Sequence, residues 1–166
     1  MDTESPAIKH LYVSLEHNFV GHNNREPGTI PMQDFPEIEC RQGSGIVGDR
    51  YFNHKPDYKG QITFFAKETF ERIRETFARE DLASSVFRRN VITTGLDLNE
   101  LIGVEFEIQG VRFAGTEEAR PCHWMNRMIA DGAKDALEGS GGLRARILSD
   151  GLLHIGPCEL RVLAHA

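Results

Sequence analysis

One stretch in which apolar and polar residues strictly alternate constrains the fold class of this chain more than any other feature. Residues 104–108 read VEFEI, apolar then acidic, and the same period of two resumes in residues 111–113 after Gln109 and Gly110. Successive side chains of a β-strand point to opposite faces, so this pattern places every apolar side chain on one face. Two such runs around a short glycine-containing turn predict a β-hairpin over residues 104–113.

Short apolar and β-branched segments predict further strands along most of the chain. They lie at residues 8–14, 38–41, 90–94 and 158–163. A second hairpin is predicted over residues 144–155, because two apolar segments flank Ser149, Asp150 and Gly151. So many short strands, joined by glycine-containing turns, predict a mainly β fold of the barrel or sandwich type.

A single segment shows helical spacing instead. Ala66, Phe70, Ile73 and Phe77 fall at i, i+4, i+7 and i+11, and charged residues occupy the positions between them. This spacing puts the apolar side chains on one face of a helix. We therefore predict an amphipathic helix over residues 66–79 that covers the sheet.

Length and charge restrict the class of protein. A chain of 166 residues is the size of one domain, here residues 1–166. The net charge of -6 argues against general nucleic-acid binding, which needs clustered Lys and Arg. No apolar stretch approaches the roughly 20 residues of a membrane span, and the acidic N-terminus does not resemble a secretory signal. We expect a cytoplasmic protein without nucleic-acid or membrane partners.

The cysteines suggest thiols rather than disulfides. The chain has three, Cys40, Cys122 and Cys158, and none forms a C-x-x-C pair. Cys122 stands between Arg120-Pro121 and His123-Trp124, and a neighbouring arginine or protonated histidine favours the nucleophilic, metal-binding thiolate. The alternative is a buried cysteine that stands beside these residues by coincidence. Cys40 and Cys158 fall in predicted strands, where we expect them to face the core.

Two segments offer donors for an anion. Arg88, Arg89 and Asn90 precede a predicted strand, and arginines beside an asparagine suit phosphate or carboxylate. Arg144 follows two glycines, which let backbone amides approach an anion. Each segment has a simpler interpretation as solvated charge at a strand end.

Two other segments admit a functional and a simpler interpretation. Asp49 and Arg50 follow Gly48, and they form either a turn with a local ion pair or a part of an anion site. His17 and His22 lie in a predicted long loop over residues 17–35. A zinc site would need further ligands nearby, so hydrogen bonding that orders the loop is the favoured role.

Taken in order, these segments resemble the MOSC family, the domain at the C-terminal end of molybdenum-cofactor sulfurases. The matching segments are GIVGDR at 45–50, GQIT at 60–63, RRNVITTGLDL at 88–98, LIG at 101–103, the hairpin at 104–116, PC at 121–122, LRARIL at 143–148, DG at 150–151 and IGP at 155–157. Together they cover about residues 38–163, and the chain is similar to a small stand-alone member of the family.

The resemblance implies a MOSC-type β-barrel with a few short helices that binds the pterin-based molybdenum cofactor, molybdopterin, or handles its sulfur. The characteristic cysteine of the family maps onto Cys122, which would ligate molybdenum or carry a persulfide. The basic and asparagine positions at the barrel rim map onto Arg89 and Asn90, which would hold the phosphate or the pterin. The full set of candidate cofactor-binding residues is Arg89, Asn90, Arg120, Arg144, Asp49 and Arg50.

Two classes of function remain open at this point. In the first, the protein is a molybdenum cofactor-dependent oxidoreductase that reduces N-hydroxylated small molecules, with Cys122 on the metal and a separate electron donor. In the second, it is a non-catalytic carrier that delivers the cofactor, or sulfur held as a Cys122 persulfide, to a partner protein. A cysteine desulfurase would then be the partner that supplies the sulfur.

Overall fold

The computed structural model describes residues 5–14 and 32–165, and strands dominate this part of the chain. The strands are β1 (Ala7–Val13), β2 (Gln33–Asp34), β3 (Glu37–Arg41), β4 (Gly45–Ile46), β5 (Ile62–Ala66), β6 (Val91–Thr94), β7 (Val104–Ile108), β8 (Val111–Glu118), β9 (Leu143–Ile147), β10 (Gly151–His154), β11 (Gly156–Pro157) and β12 (Leu160–His165). The helices are α1 (Lys67–Thr76), α2 (His123–Met128) and α3 (Ala133–Leu137), with 3₁₀ turns at Ser84–Phe87 and Leu98–Leu101. The prediction of a mainly β fold with few helices is confirmed. No helix in the described ranges has the length and apolar character needed to cross a bilayer.

The strands form one large sheet and one small sheet. The large sheet runs in the order β11-β1-β6-β5-β9-β8-β7-β12, with β2 added to β1, and the small sheet in the order β10-β3-β4. Strands β5 and β6 are parallel, and the other neighbours in the large sheet are antiparallel. Within the described residues, the end strands β11 and β12 do not pair, so the sheet is not a closed barrel.

One apolar core lies between the two sheets. The small sheet contributes Ile38, Cys40 and Ile46, and the large sheet contributes residues that include Phe64 and Phe106. In β7 only every second side chain is fully buried, because one face of that strand packs on this core and the other does not. The alternating pattern of residues 104–108 therefore results from the burial of only one face of β7.

A second core lies on the opposite face of the large sheet, under the three helices. It includes Phe65 from β5 and Ile92 from β6, with Phe70 and Ile73 from α1. Because β5 and β6 are covered on both faces, their residues are buried almost continuously rather than at every second position. Each fully buried phenylalanine contributes roughly 1.5–3 kcal/mol to folding.

The first predicted hairpin is confirmed. Strands β7 and β8 pair antiparallel, with Ile108 opposite Val111. Gln109 and Gly110 have φ angles of 52° and 82°, so both turn residues are left-handed. This two-residue turn matches the right-handed twist of the strands.

The second predicted hairpin, over residues 144–155, is wrong. β9 pairs with β5 and β8, whereas β10 pairs with β3 in the small sheet. The turn side chains bind other elements: Ser149 Oγ accepts the Arg112 N–H at 2.9 Å, and Asp150 Oδ1 accepts the Gln42 N–H at 2.7 Å. The chain therefore leaves one sheet and enters the other at this point.

The predicted helix over 66–79 is confirmed as the shorter helix α1. Ala66 belongs to β5, and Phe70 and Ile73 are buried as expected, while Phe77 packs at the margin of the second core. The helix stops early because Ala78 adopts a left-handed φ of 51°. Glycine usually occupies this position at a helix C-terminus, since a Cβ is disfavoured there.

We predict that Ala78→Gly stabilises the protein. Ala78 is exposed, so glycine removes the left-handed penalty without removing buried surface, and the free energy of unfolding should rise by about 0.5–1 kcal/mol. The matched control is Ala136→Gly at an exposed position within α3, which should lower it by about the same amount. Urea denaturation measures both. Destabilisation by Ala78→Gly would contradict this account of how α1 ends.

Candidate functional site

A cleft of about 280 Å³ opens where the first residues of β5 and β6 meet the loop before α2. Five arginines line it: Arg50, Arg88, Arg89, Arg120 and Arg144. Only two carboxylates, those of Glu117 and Glu118, stand against these five cations in the lining. A chain with a net charge of -6 thus concentrates positive charge in one cleft.

Cys122 lines this cleft immediately before α2. It is exposed, whereas Cys40 and Cys158 are buried. Its backbone is extended, and its carbonyl accepts the Met125 N–H at 2.9 Å in the first turn of the helix. The segment that leads into α2 therefore presents the sulfur to the cleft. In the described part of the chain, no three His, Cys, Asp or Glu side chains gather into a metal site.

The Arg89 guanidinium is held by backbone carbonyls. Its Nε donates to Gly141 O at 2.9 Å, Nη1 to Phe87 O at 3.1 Å and Nη2 to Ala119 O at 2.8 Å. Burial lowers the pKa of Arg89 to about 10, and the nearby charge of Cys122 opposes this lowering. Arg89 therefore remains a cation at neutral pH, close to the Cys122 sulfur.

Asn90 lies beside Arg89, but its side chain holds strands together. The Oδ1 accepts the Thr63 N–H at 3.0 Å and the Thr63 hydroxyl at 3.1 Å, and the Nδ2 donates to Tyr12 O at 3.1 Å. The structure thus places Asn90 at the floor of the cleft with its amide engaged by protein atoms. Its predicted contact with a cofactor stays a prediction.

Arg88 and Arg50 differ from Arg89 in their hydrogen bonding. The Nε of each is buried, and neither Nε has a hydrogen-bond partner among the described residues. Arg88 has a left-handed φ of 59° and its guanidinium lies 4.6 Å from the centre of the Trp124 ring. Burial lowers the pKa of Arg88, and the positive charge of Arg50 lowers it further. Two cations therefore lie close together in the cleft lining, and Arg50 Nη2 donates to the Arg88 carbonyl at 3.4 Å.

Arg144 lines the cleft beside an aromatic ring. Its Nη1 lies 2.5 Å from Glu117 Oε1, and its guanidinium lies 5.1 Å from the centre of the Tyr58 ring. Gly60 permits this packing, because a Cβ at that position would lie 2.6 Å from Arg144 Nε. Burial raises the pKa of Tyr58, which keeps its hydroxyl protonated, although the charge of Arg144 opposes the shift.

The remaining predicted residues take different places. Asp49 does not line the cleft: its buried carboxylate accepts the N–H groups of Ser14 at 3.1 Å and Tyr51 at 3.2 Å, and so orders the turn that carries Arg50. Burial raises the pKa of Asp49 despite these hydrogen bonds. Arg120 lines the cleft and is exposed. His17 and His22 lie outside the described residues.

Among the lining residues that the candidate set from the sequence omitted, three bear on the binding of a ligand. They are Arg88, Tyr51 and Tyr58. Arg88 is one of the anion donors named from the sequence, but the family resemblance maps the binding positions onto Arg89 and Asn90, so Arg88 is not in the set. Tyr51 and Tyr58 stack with their ring centres 5.6 Å apart. Both tyrosines follow the Gly-Asp-Arg segment at 48–50 closely in the sequence, and this proximity to a candidate anion-binding segment could have identified them.

Comparison with known proteins identifies the family. The sequence profile of the MOSC domain matches residues 46–162, most of the chain. The protein belongs to the MOSC domain family. No curated protein matches its sequence.

Solved structures share the fold of this MOSC protein at low sequence identity. The YuaD protein of Bacillus subtilis superposes with a TM-score of 0.74 at 17% identity, covering 99% of both chains. YiiM from Geobacillus stearothermophilus gives a TM-score of 0.67 at 16% identity, covering 94% of this chain and 75% of its own. YiiM from Escherichia coli gives 0.62 at 15% identity, covering 96% of this chain and 71% of its own.

We predict that Cys122 is the fastest of the three thiols to react with iodoacetamide at neutral pH. Burial raises the pKa of Cys40 to about 12 and also raises the pKa of Cys158, so both remain neutral thiols shielded from solvent. Peptide mass spectrometry after timed alkylation measures the three rates. Unfolding in urea is the control and should make the rates similar. Equal labelling in the folded protein would contradict the assignment of Cys122 to an open cleft.

Proposed function

We propose that this MOSC protein binds a pterin-based molybdenum cofactor in the arginine-lined cleft, with Cys122 as the protein ligand of the metal. The observation that carries the proposal is the position of an exposed cysteine among five arginines. A cysteine thiolate is a soft ligand suited to a sulfur-rich metal site. The family is associated with this cofactor, and the residues of this cleft supply matching chemistry.

The charges of the cleft fit the anionic part of such a cofactor. A phosphate is held best by several charge-assisted hydrogen bonds, and arginine offers them in a planar fork. Arg50 and Arg88 line the cleft, and the Nε of each is buried without a hydrogen-bond partner among the described residues. The cleft volume of about 280 Å³ is near the lower end of ligand pockets, roughly 300–1,000 Å³, so part of the cofactor would remain outside it.

The other walls would orient the ligand. The stacked rings of Tyr51 and Tyr58 offer a flat apolar surface, and Arg144 packs against Tyr58. When bound, the cofactor would supply the redox chemistry of molybdenum, such as the reduction of N-hydroxylated small molecules with electrons from a partner. The chain itself contributes binding, orientation and positive potential around the Cys122 sulfur.

The exposure of Cys122 favours a second function, that of a sulfur carrier. A carrier needs a thiolate that a partner protein can reach. In this case the Cys122 thiolate would attack the outer sulfur of a persulfide on a cysteine desulfurase. The new S–S bond forms as the old one breaks, and the donor cysteine leaves as a thiolate without net oxidation. The neighbouring arginines would stabilise the persulfide anion.

The experiment is elemental analysis and absorbance of the protein purified from cofactor-producing cells. We predict close to one molybdenum per chain for the wild type and loss of the metal in Cys122→Ser, because a hydroxyl is a harder and less acidic ligand than a thiol. Cys158→Ser is the matched control and should keep its molybdenum, since Cys158 lies outside the cleft. A labile sulfane on Cys122 without metal would instead support the carrier function.

Two results would overturn the proposed site. The first is molybdenum content in Cys122→Ser equal to that of the wild type. The second is the absence of both metal and labile sulfane from wild-type protein made in cells that supply the cofactor. Circular dichroism of the variants ensures that neither result comes from misfolding.

A further inference from the structure

Arg89 joins two segments that meet beside Cys122. Its Nε and Nη2 donate to Gly141 O and Ala119 O, at 2.9 and 2.8 Å. Gly141 precedes β9, and Ala119 begins the segment that leads to Cys122. One planar guanidinium therefore joins two segments that are distant in the chain and adjacent in the fold.

The two joined segments are packed against each other without room for a side chain. Ala119 N–H donates to Gly142 O at 2.8 Å. A Cβ on Gly141 would lie 2.2 Å from Ala119 O and 2.9 Å from Pro121 Cδ. Pro121 directly precedes Cys122, so the position of the thiol depends on this contact.

We propose that Arg89 is a positioning residue that holds the segment 119–122 in place, whereas Arg50 and Arg88 make the contacts to an oxyanion ligand. This inference rests on the proposed role of Cys122 as the reactive group of the cleft. The proposal separates Arg89, whose guanidinium binds backbone carbonyls, from Arg50 and Arg88, whose Nε atoms have no acceptor among the described residues. Adjacent residues of the same type, Arg88 and Arg89, then have different functions.

The hydrogen-bond geometry supports this division. Each nitrogen of the Arg89 guanidinium donates to a backbone carbonyl, those of Phe87, Ala119 and Gly141, with a longer contact of 3.5 Å from Nη2 to Arg120 O. Most of its N–H groups are therefore engaged by the protein, while its charge acts on the cleft.

The Nε atoms of Arg50 and Arg88 are buried, and in the described part of the chain no acceptor reaches them. By contrast, Nη1 and Nη2 of Arg50 donate to Met32 Sδ at 3.1 Å and to Arg88 O at 3.4 Å. A buried donor without an acceptor is costly, and a phosphate oxygen would remove that cost once a turn of the guanidinium exposes the Nε to the cleft.

The substitution Arg89→Lys distinguishes a role of Arg89 through its charge from a role in positioning the segment 119–122. A lysine at position 89 keeps the positive charge, but its single ammonium cannot reproduce a fork that spans two segments. If Arg89 acts through its charge alone, Arg89→Lys restores function. If Arg89 acts by positioning, Arg89→Lys fails together with Arg89→Gln.

The first measurement is amide hydrogen exchange with molybdenum content on the same preparations. In Arg89→Lys we expect the Ala119 amide to exchange at least about tenfold faster, because the contact that holds it is loosened. Molybdenum affinity should fall about 10-fold or more, as for residues that orient metal ligands. Arg88→Gln is the matched control and should leave the exchange of Ala119 unchanged.

The second measurement is binding of inorganic phosphate, followed by the fluorescence of Trp124. This is the only tryptophan of the chain, and Arg88 lies over its ring. The dissociation constant for phosphate should rise about tenfold in Arg88→Gln and in Arg50→Gln, and change less than about twofold in Arg89→Lys. Neither hydrogen exchange nor phosphate binding requires molybdenum, so these results decide the role of Arg89 even if the proposed function fails.

A second variant covers the case in which the Arg89 variants do not fold. Gly141→Ala retains Arg89 and separates the same two segments, so it should reproduce the faster exchange of Ala119 and the loss of molybdenum. The proposal is overturned if Arg89→Lys leaves the exchange of the Ala119 amide at the wild-type rate, or if it weakens phosphate binding as much as Arg88→Gln does. It is also overturned if Gly141→Ala leaves the exchange of the Ala119 amide unchanged.

Discussion

The side-chain amide of Asn90 is the contact on which the geometry of the cleft depends. It joins three neighbouring strands, because its Oδ1 accepts two hydrogen bonds from Thr63 in β5 and its Nδ2 donates to Tyr12 O in β1. Each such bond contributes roughly 0.5–1.5 kcal/mol net, and a buried partner left unpaired costs more. Since Asn90 immediately precedes β6, its anchoring also fixes where Arg88 and Arg89 stand.

This anchoring lets the fold keep an arrangement that is unfavourable in itself. Arg88 adopts a left-handed conformation, which costs of order 1–3 kcal/mol in a residue other than glycine. Its guanidinium loses water and lies near the positive charge of Arg50. The nearest compensation within the protein is the Trp124 ring, whose face attracts cations. Strain and like charge thus gather at the same place as the exposed thiol.

The sequence predicted what depends on local pattern and missed what depends on distant contacts. The hairpin of β7 and β8 follows from alternation and a two-residue turn, both visible in residues 104–113. The pairing of β10 with β3 could not be predicted from local pattern. The turn before β10 is held by hydrogen bonds from Arg112 to Ser149 and from Gln42 to Asp150, and these partners are far apart in the chain. The candidate site shows the same limit. Cys122 stood out by its neighbours, but the difference between Arg88 and Arg89 lies in side-chain direction.

The distribution of charge completes the physical picture of the cleft. The chain is acidic overall, yet five arginines face two carboxylates in this one concavity, and one of those carboxylates is paired with Arg144. Charges arranged in this way attract anions from solution and repel cations, more strongly at low ionic strength. An anion placed between Arg50 and Arg88 also relieves their mutual repulsion. In the proposed complex, an oxyanion would therefore gain part of its affinity by relieving a cost that folding has already imposed.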